Sequence, residues 1–416
     1  MSEAFESAES FPPAELLRSA APLDPTAPFE STATFMATGV PLPRYGSAAL
    51  ADLIPSVLAS LATPGFVDVL GLAPAPAACV LLVDGMGAEL IRTHAKDAPV
   101  LCEALAAPSG RDLTAGFPST TAASIASIGT GLPPGLHGIV GYQVAVPELG
   151  KLMNSLRWDP GVDPLVWQPR PTAFETAVAA GVEVQQVGKR MFKGGGLDRA
   201  VLRGARFVGA DTFGEVAAGA LAGLRSVIEA KRPGLIYAYV ADLDLTGHGH
   251  GVRSQAWQLQ LQLVDRLVEQ IASLLPAGVQ FYVTADHGMV DIPVHRRIDV
   301  DLDDELRSGL TLLGGEARAR YLYVRDGGLD DVLATWRGRF GSDAVICTRD
   351  EAIDAGWFGP VADYVRPRIG DVVVASMTDL AMVATHHQPN EAKLVGHHGS
   401  LTAAEQLVPL AVFGGS

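Results

Sequence analysis

The stretch CVLLVDGMG, residues 79–87, joins an apolar run to an acid and two glycines. Such a run is typical of a strand that is buried on both faces of a sheet. Asp84 follows the run directly, and Gly85 and Gly87 allow the chain to turn sharply after it. An acid in this position is either a cap for the next helix or a functional group at the carboxyl end of a strand.

Similar apolar runs alternate with longer amphipathic patterns along the chain. The predicted strands are residues 78–83, 182–187, 235–240 and 279–284, and the predicted helices are residues 122–129, 212–231 and 254–275. This alternation favours an α/β fold with a central, mostly parallel sheet flanked by helices on both faces. Ligands of such sheets bind at the carboxyl ends of the strands.

The length of 416 residues suits one large domain with insertions, or two domains. Residues 1–45 are rich in Ala, Ser, Pro, Glu and Thr without a sustained period, which predicts a loosely ordered N-terminal arm. Residues 46–416 then form the main domain. The pattern loosens within residues 296–378, where we expect a small inserted cap.

Composition excludes several classes of function. The net charge of −15 opposes binding to nucleic acid polymers and to anionic membranes, and no apolar stretch is long enough to span a bilayer. Three scattered cysteines are too few for a disulfide framework, and the acidic first twenty residues do not look like a secretory signal. We therefore predict a cytoplasmic protein. Any phosphate chemistry would need local positive charge, for which metal ions are the obvious source.

The segment GFPSTTAASIASIGTGLPPGLHGIVGY, residues 116–142, places hydroxyl groups before a helix of small residues. Thr121 falls at or beside the N-terminus of that helix, where N–H groups and the helix dipole favour an anion. Ser and Thr are also ordinary N-caps, so a capping role and a nucleophilic role both remain open.

Pairs of carboxylates and imidazoles follow the later strands. They are Asp244 with His248, Asp286 with His287, and His397 with His398. The glycines after Asp244 argue against a long helix there and favour a turn. Mixed Asp and His sets without Cys suit Zn, Mn or Fe in catalytic sites. Together the pairs predict a two-metal hydrolase.

In these motifs the sequence resembles the alkaline phosphatase superfamily and, within it, the type I phosphodiesterase/nucleotide pyrophosphatase family. The resemblance spans about residues 75–415 and rests on the order of VDGMG, TGL with HGIVG, DxxGH, DHGM and HHG followed by VP. It implies an alkaline-phosphatase-like catalytic domain. It also implies hydrolysis of small phosphate esters, most of all phosphodiester or nucleotide pyrophosphate bonds.

The resemblance further implies the roles of individual residues. One metal ion would be held by Asp84, Asp286 and His287 with the nucleophile Thr121, and the other by Asp244, His248 and His398. Thr121 is preferred to Thr120 because it stands nine residues before Thr130, which is the spacing of the family's nucleophile. His398 is preferred to His397 because it directly precedes glycine.

The implied mechanism is attack by a metal-activated threonine, with a covalent phosphothreonine intermediate. Two divalent metal ions are expected, with Zn favoured and Mn or Fe compatible with the same ligands. Many phosphodiesterases of the family carry Asn where this chain has Tyr142. A phenol can donate a hydrogen bond to a phosphoryl oxygen, which makes Tyr142 a candidate substrate contact.

Other functions remain open at this point. A phosphomonoesterase would need a further cation, for which Lys189 or Arg190 is a candidate, and a phosphonate hydrolase would use the same metals. The non-enzymatic alternative is an idle metal-binding scaffold. Trp158, Trp167 and Trp357 would either pack in the core or offer a stacking surface to the ester group. The oligomeric state is not predicted.

Overall fold

A computed structural model describes residues 40–415, which lie within one compact unit. The expected arm at residues 1–45 falls almost wholly outside the described range. Between residues 40 and 415, no helix is both long enough and apolar enough to cross a membrane.

The strands and helices are numbered in chain order. The strands are β1 (Ala77–Val83), β2 (Arg111–Thr114), β3 (Gln143–Val146), β4 (Lys151–Asn154), β5 (Glu183–Gly188), β6 (Arg206–Gly209), β7 (Gly234–Val240), β8 (Gln280–Thr284), β9 (Val290–Asp291), β10 (Arg297–Asp299), β11 (Leu310–Glu316), β12 (Ala319–Val324), β13 (Ala344–Thr348), β14 (Val372–Ser376), β15 (Ala381–Val383), β16 (Gly396–His397) and β17 (Leu407–Gly414). The α-helices are α1 (Leu53–Ser60), α2 (Ala88–Thr93), α3 (Pro99–Ala106), α4 (Thr121–Thr130), α5 (Pro134–His137), α6 (Pro164–Trp167), α7 (Ala173–Ala179), α8 (Gly196–Val201), α9 (Phe213–Glu229), α10 (Asp242–His250), α11 (Gln255–Ser273), α12 (Asp304–Arg307), α13 (Leu329–Phe340), α14 (Arg349–Asp354) and α15 (Ala403–Gln406).

A seven-stranded sheet forms the centre of the fold, in the order β2-β17-β8-β1-β7-β5-β6. The five strands from β8 to β6 run parallel, whereas β17 is antiparallel to both of its neighbours. All seven residues of β1 are buried, as its continuous apolar sequence predicts. The prediction of a mostly parallel central sheet is confirmed.

Helices cover both faces of this sheet. Ile236 and Tyr237 are consecutive in β7 and therefore point to opposite faces. A Cβ built on Gly223 of α9 would lie 2.8 Å from Ile236, so α9 packs on the first face. The ring of Phe174 in α7 lies 5.9 Å from the ring of Tyr237, so α7 packs on the second.

A smaller antiparallel sheet, in the order β11-β12-β14-β13, lies in the region for which a cap is predicted. Leu322, Trp336 and Val374 belong to a hydrophobic cluster that is distinct from the main core. The assignment of residues 296–378 as an inserted cap remains a prediction.

Asp244 and His248 lie on a nine-residue helix, α10, and not in a turn as expected. Gly247 and Gly249 are accommodated inside this helix, which ends where Gly251 adopts a φ of +84°. The glycines therefore limit the length of the helix without preventing it.

Candidate active site

The candidate residues converge because three neighbouring parallel strands end at one edge of the sheet. Asp84 follows β1, Asp286 and His287 follow β8 closely, and Asp244 lies in the first turn of the helix after β7. Since β8, β1 and β7 are adjacent and parallel, their carboxyl ends bring these side chains together.

Asp84, Asp286 and His287 form the first of two groups. Nε2 of His287 lies 3.3 Å from Oδ1 of Asp84 and 3.6 Å from Oδ2 of Asp286. All three side chains are buried, and one potential ligand atom from each lies within 4.8 Å of the others. Backbone N–H groups of Gly85 and His287 donate to Oδ1 of Asp286, each at 3.0 Å, and orient that carboxylate.

Asp244, His248 and His398 form the second group. Nε2 of His248 lies 3.3 Å from Oδ2 of Asp244, and potential ligand atoms of all three residues again lie within 4.8 Å of one another. The ring of His398 stacks on that of His287 with 3.6 Å between centroids. The two groups are therefore adjacent.

Each of the three histidines directs Nδ1 towards a backbone carbonyl oxygen. The acceptors are Gly288 for His287 at 2.9 Å, Gly396 for His248 at 2.8 Å, and Ser119 for His398 at 3.0 Å. With the proton on Nδ1, a neutral imidazole presents an unprotonated Nε2, the form that binds a metal ion. Nε2 of His287 lies near Oδ1 of Asp84, and Nε2 of His248 lies near Oδ2 of Asp244. In both cases the nitrogen lone pair faces a carboxylate oxygen, and a cation bound by both atoms would stabilise this arrangement.

Three carboxylate oxygens in these groups are buried without a hydrogen-bond partner among the described residues. They are Oδ1 of Asp84, Oδ1 of Asp244 and Oδ2 of Asp286. Burial raises the pKa of Asp244 to about 6 and that of Asp286 to about 7. Burial also raises the pKa of Asp84 well above its ordinary value, and the charge of Asp286 adds to this effect. Unpartnered buried carboxylates are costly, so the donor set fits divalent cations.

Thr121 is the first residue of α4, and its Oγ1 lies 3.2 Å from Nε2 of His287. Thr120 occupies the N-cap position, but its side chain does not cap the helix. Its hydroxyl instead donates to Oε2 of Glu316 at 3.1 Å. The first N–H groups of α4 thus have no side-chain cap and face the same region as Thr121.

Two contacts of this site come from residues that the sequence analysis did not single out. The hydroxyl of Tyr239 donates to Oδ2 of Asp84, and the carboxylate of Glu316 lies 3.5 Å from Nδ1 of His398. Tyr239 is the second-to-last residue of the apolar strand β7 and lies five residues before Asp244, and this position is the one signal that would have indicated it. Glu316 ends a strand of the smaller sheet and has no local motif.

A cavity of about 630 Å³ opens onto the site and is lined by Thr121, Asp84, Tyr142 and the second group. Much of the remaining wall is apolar: Ile125, Leu156, Met191, Phe192, Leu197, Phe207 and Leu245. Tyr142 therefore lies in the wall of the cavity, where a bound substrate would be within its reach.

The other candidate contacts are engaged elsewhere. Lys189 lines the cavity, but its Nζ pairs with Asp242 at 2.8 Å, and Arg190 pairs with acids on the surface. Trp167 packs beneath the guanidinium of Arg368, and Trp357 packs against Phe117. None of the three tryptophans considered above, Trp158 included, lines this cavity.

The sequence model of the type I phosphodiesterase/nucleotide pyrophosphatase family matches residues 78–401. A search of curated protein sequences found no match. Among solved structures, human ectonucleotide pyrophosphatase/phosphodiesterase 5 superposes with a TM-score of 0.60 at 16% identity, over 81% of this chain and 87% of that one.

Two further structures show the same likeness of fold. The inactive murine ectonucleotide pyrophosphatase/phosphodiesterase 5 in complex with AMP gives a TM-score of 0.62 at 18% identity, over 81% of this chain and 87% of its own. Phosphonoacetate hydrolase from Sinorhizobium meliloti, in complex with phosphonoformate, gives 0.61 at 22% identity, over 81% and 89%.

Proposed function

The chain belongs to the type I phosphodiesterase/nucleotide pyrophosphatase family of metal-dependent phosphoric ester hydrolases, and from this premise we propose that it cleaves phosphodiester or nucleotide pyrophosphate bonds through a phosphothreonine on Thr121. One observation carries the proposal. Two adjacent groups of buried and half-buried carboxylates and imidazoles, with unpartnered oxygens, lie beside a hydroxyl at the uncapped N-terminus of a helix.

The metal ligands in this proposal are the six residues of the two groups, with Thr121 beside the first. Bound divalent cations would lower the pKa of the Thr121 hydroxyl and stabilise negative charge on the leaving oxygen. Zn is the favoured metal because His and Asp donors suit it, and Mn or Fe fit the same set.

The chain's own groups then orient the reaction. Thr121 is fixed at the start of α4, so its hydroxyl points at the phosphorus while N–H groups of the first turn bind the phosphoryl oxygens. Glu316 holds the Thr120 hydroxyl away from those N–H groups and leaves them free for the substrate.

The cavity favours diesters over monoesters. Its apolar wall offers a surface for a second ester group, which a monoester lacks. Lys189, the candidate for an additional phosphate contact, is held by Asp242. The ammonium group of Lys189 is therefore already paired and is not free to bind the additional phosphate oxygen of a monoester.

Steady-state hydrolysis tests this proposal. Protein stripped of metal and reconstituted with Zn or Mn should hydrolyse bis-p-nitrophenyl phosphate with a higher kcat/KM than p-nitrophenyl phosphate. Thr121→Ala should lower kcat for the diester at least about a thousandfold because it removes the nucleophile. A preference for the monoester would reassign the enzyme as a phosphomonoesterase.

Thr121→Ser is the matched variant, since it keeps a hydroxyl and should retain much of the activity that Thr121→Ala loses. Acid quenching during turnover, followed by peptide mass spectrometry, should find phosphate on the Thr121 peptide. Full activity of Thr121→Ala would refute the assignment of Thr121 as the nucleophile. Absence of turnover with either metal would favour the alternative that the protein is an idle metal-binding scaffold.

Domain organisation and location complete the proposal. Residues 46–416 would be the catalytic domain, with residues 296–378 as a cap that contributes Glu316 to the cavity. A cytoplasmic location is supported by Cys79, Cys102 and Cys347, which form no disulfide in the described structure.

A further inference from the structure

Glu316 is the residue through which the smaller sheet reaches the candidate metal ligands. It is the last residue of β11, and its side chain is only 8% exposed. The turn that follows it is fixed by two further contacts. The N–H of Ala317 donates to Oε1 of Glu391 at 2.6 Å, and the buried guanidinium of Arg318 pairs with Glu405 at 2.6 Å. The backbone that carries Glu316 is therefore held in a defined place.

The carboxylate of Glu316 lies between two chain segments that both belong to the site. The first segment precedes the candidate nucleophile, and in it the hydroxyl of Thr120 donates to Oε2 of Glu316 at 3.1 Å. In the second segment, Nδ1 of His398 lies 3.5 Å from the same oxygen. A Cβ built on the next residue, Gly399, would lie 2.9 Å from Cδ of Glu316. The side chain of Glu316 thus fills the space between the two segments.

The ring of His398 meets this carboxylate on a different side from the other candidate imidazoles. His287 and His248 approach carboxylates through Nε2, the nitrogen that faces the proposed ions, at 3.3 Å each. His398 approaches Glu316 through Nδ1, which also lies 3.0 Å from the carbonyl oxygen of Ser119. Partners of the nitrogen that does not bind the metal fix the orientation of a ligating imidazole.

The turn after His398 has little support of its own. Gly399 has a φ of +126° and no side chain, and its carbonyl oxygen accepts from the N–H of Ser119 at 3.1 Å. Glu316 packs directly against this turn. Removal of the Glu316 side chain would therefore leave a gap beside Gly399 and allow the ring of His398 to rotate.

We propose that Glu316 is a positioning residue for the second group and holds the imidazole of His398 in the orientation in which Nε2 binds the metal ion. This role rests on the proposed function, which assigns His398 as a metal ligand. It gives the smaller sheet a part in metal affinity, through a side chain that is not itself a ligand.

The Zn affinity of each group, measured separately, tests this role. The Asp286→Asn background impairs the first group and leaves the second complete, and the Asp244→Asn background does the reverse. Competition with a chromophoric chelator then gives the Kd of the complete group. With the second group complete, Glu316→Ala should weaken Zn binding at least about tenfold, as loss of a partner of a ligating imidazole does. With the first group complete, the same change should leave the Kd nearly unaltered.

Glu316→Gln is the conservative variant. Its amide can place the carbonyl oxygen where Oε2 accepts from Thr120. The NH2 group then takes the position of Oε1, an atom without a hydrogen-bond partner among the described residues. Because the shape and the acceptor are kept, Glu316→Gln should retain most of the Zn affinity that Glu316→Ala loses.

Asp371→Ala is the matched control for damage to the smaller sheet. Asp371 also stabilises that sheet, since it accepts from the N–H of Val324 at 2.8 Å and pairs with Arg349 at 2.6 Å, but it does not line the cavity. Any change in Zn affinity caused by Asp371→Ala should be the same in the two backgrounds.

Equal losses of Zn affinity in the two backgrounds on Glu316→Ala would overturn the positioning role, because a general loss of structure acts on both groups. An unchanged Kd of the second group would overturn it as well. So would equal losses in Glu316→Gln and Glu316→Ala, which would assign the effect to charge. Hydrolysis of bis-p-nitrophenyl phosphate by the wild type reports separately on the proposed function. A normal rate there, with an unchanged Kd in Glu316→Ala, refutes only the role of Glu316.

Discussion

Asp242 and Asp244 lie two residues apart on α10 but face different surroundings. Asp242 pairs with Lys189 at 2.8 Å and keeps 34% of its side chain exposed. Asp244 is 13% exposed and lies 3.3 Å from His248, one helical turn later. The four-residue step brings the carboxylate and the imidazole onto one side of the helix.

This difference predicts unequal effects on metal binding. Asp244→Asn should weaken the affinity for Zn by at least about tenfold, because an amide replaces a charged ligand. Asp242→Asn removes only a partly exposed ion pair, so Zn affinity should stay within about twofold. Competition with a chromophoric chelator measures both, and equal losses would contradict the assignment of Asp244.

At the residue scale, motif spacing allowed the six candidate ligands to be proposed from the sequence, since each follows a strand or a glycine-rich turn. It could not indicate Glu316. The contacts of Glu316 with Thr120 and His398 join distant parts of the chain and depend on the packing of the smaller sheet.

Among the secondary-structure elements, α10 depends on a close approach to the loop after β8. A Cβ on Gly247 would lie 2.4 Å from Sδ of Met289, which is itself buried. A Cβ on Gly249, one residue beyond His248, would have no atom within 4 Å. Steric contacts therefore require glycine at position 247 but not at position 249.

Gly247→Ala should lower the free energy of unfolding by about 1–3 kcal/mol, because the added methyl group overpacks a buried contact. Gly249→Ala should raise it by up to about 1 kcal/mol, since alanine favours the helix. Urea denaturation of the two variants measures the difference. Equal stability would show that Met289 can move aside without cost.

The elements themselves were largely predictable. The four core strands read as apolar runs, and their observed bounds lie within one residue of the predicted ones. The helical form of residues 242–250 was not predicted, because local glycine content argued against it while packing against the β8 loop favoured it.

In the molecule as a whole, acidic side chains are concentrated at one edge of the central sheet, where they are removed from solvent. Burial raises the pKa of Asp286 to about 7, whereas an aspartate in the unfolded chain titrates near 3.9. Between these values the folded state keeps a proton that the unfolded state loses. Asp286 therefore costs the metal-free protein stability as the pH rises from about 4 to 7.

Buried histidines act in the opposite direction. Burial lowers the pKa of His137 and His397 to about 3, so stability falls as the pH drops through about 6.5. Comparing the wild type with Asp286→Asn removes the contribution of these histidines, because both proteins contain them. The stability of metal-free wild type relative to Asp286→Asn should decline between pH 4.5 and 8, measured by thermal denaturation at each pH.

Metal should reverse this dependence. A bound ion favours ionised carboxylates, so added Zn or Mn should raise the Tm of the wild type more at pH 8 than at pH 5. A stability difference that does not change with pH would contradict the assignment of a raised pKa to Asp286.

The backbone of Ser119 pairs with that of Gly399, and this bridge helps to hold the segment before Thr121 against the segment that carries His398. The two ligand groups together draw on positions 84 to 398, so no short fragment of the chain contains both. Closing so long a loop is entropically costly and slow. If the proposed pair of metal sites is correct, both sites are complete only once the chain has been synthesised past His398, and metal capture should be a late event in folding.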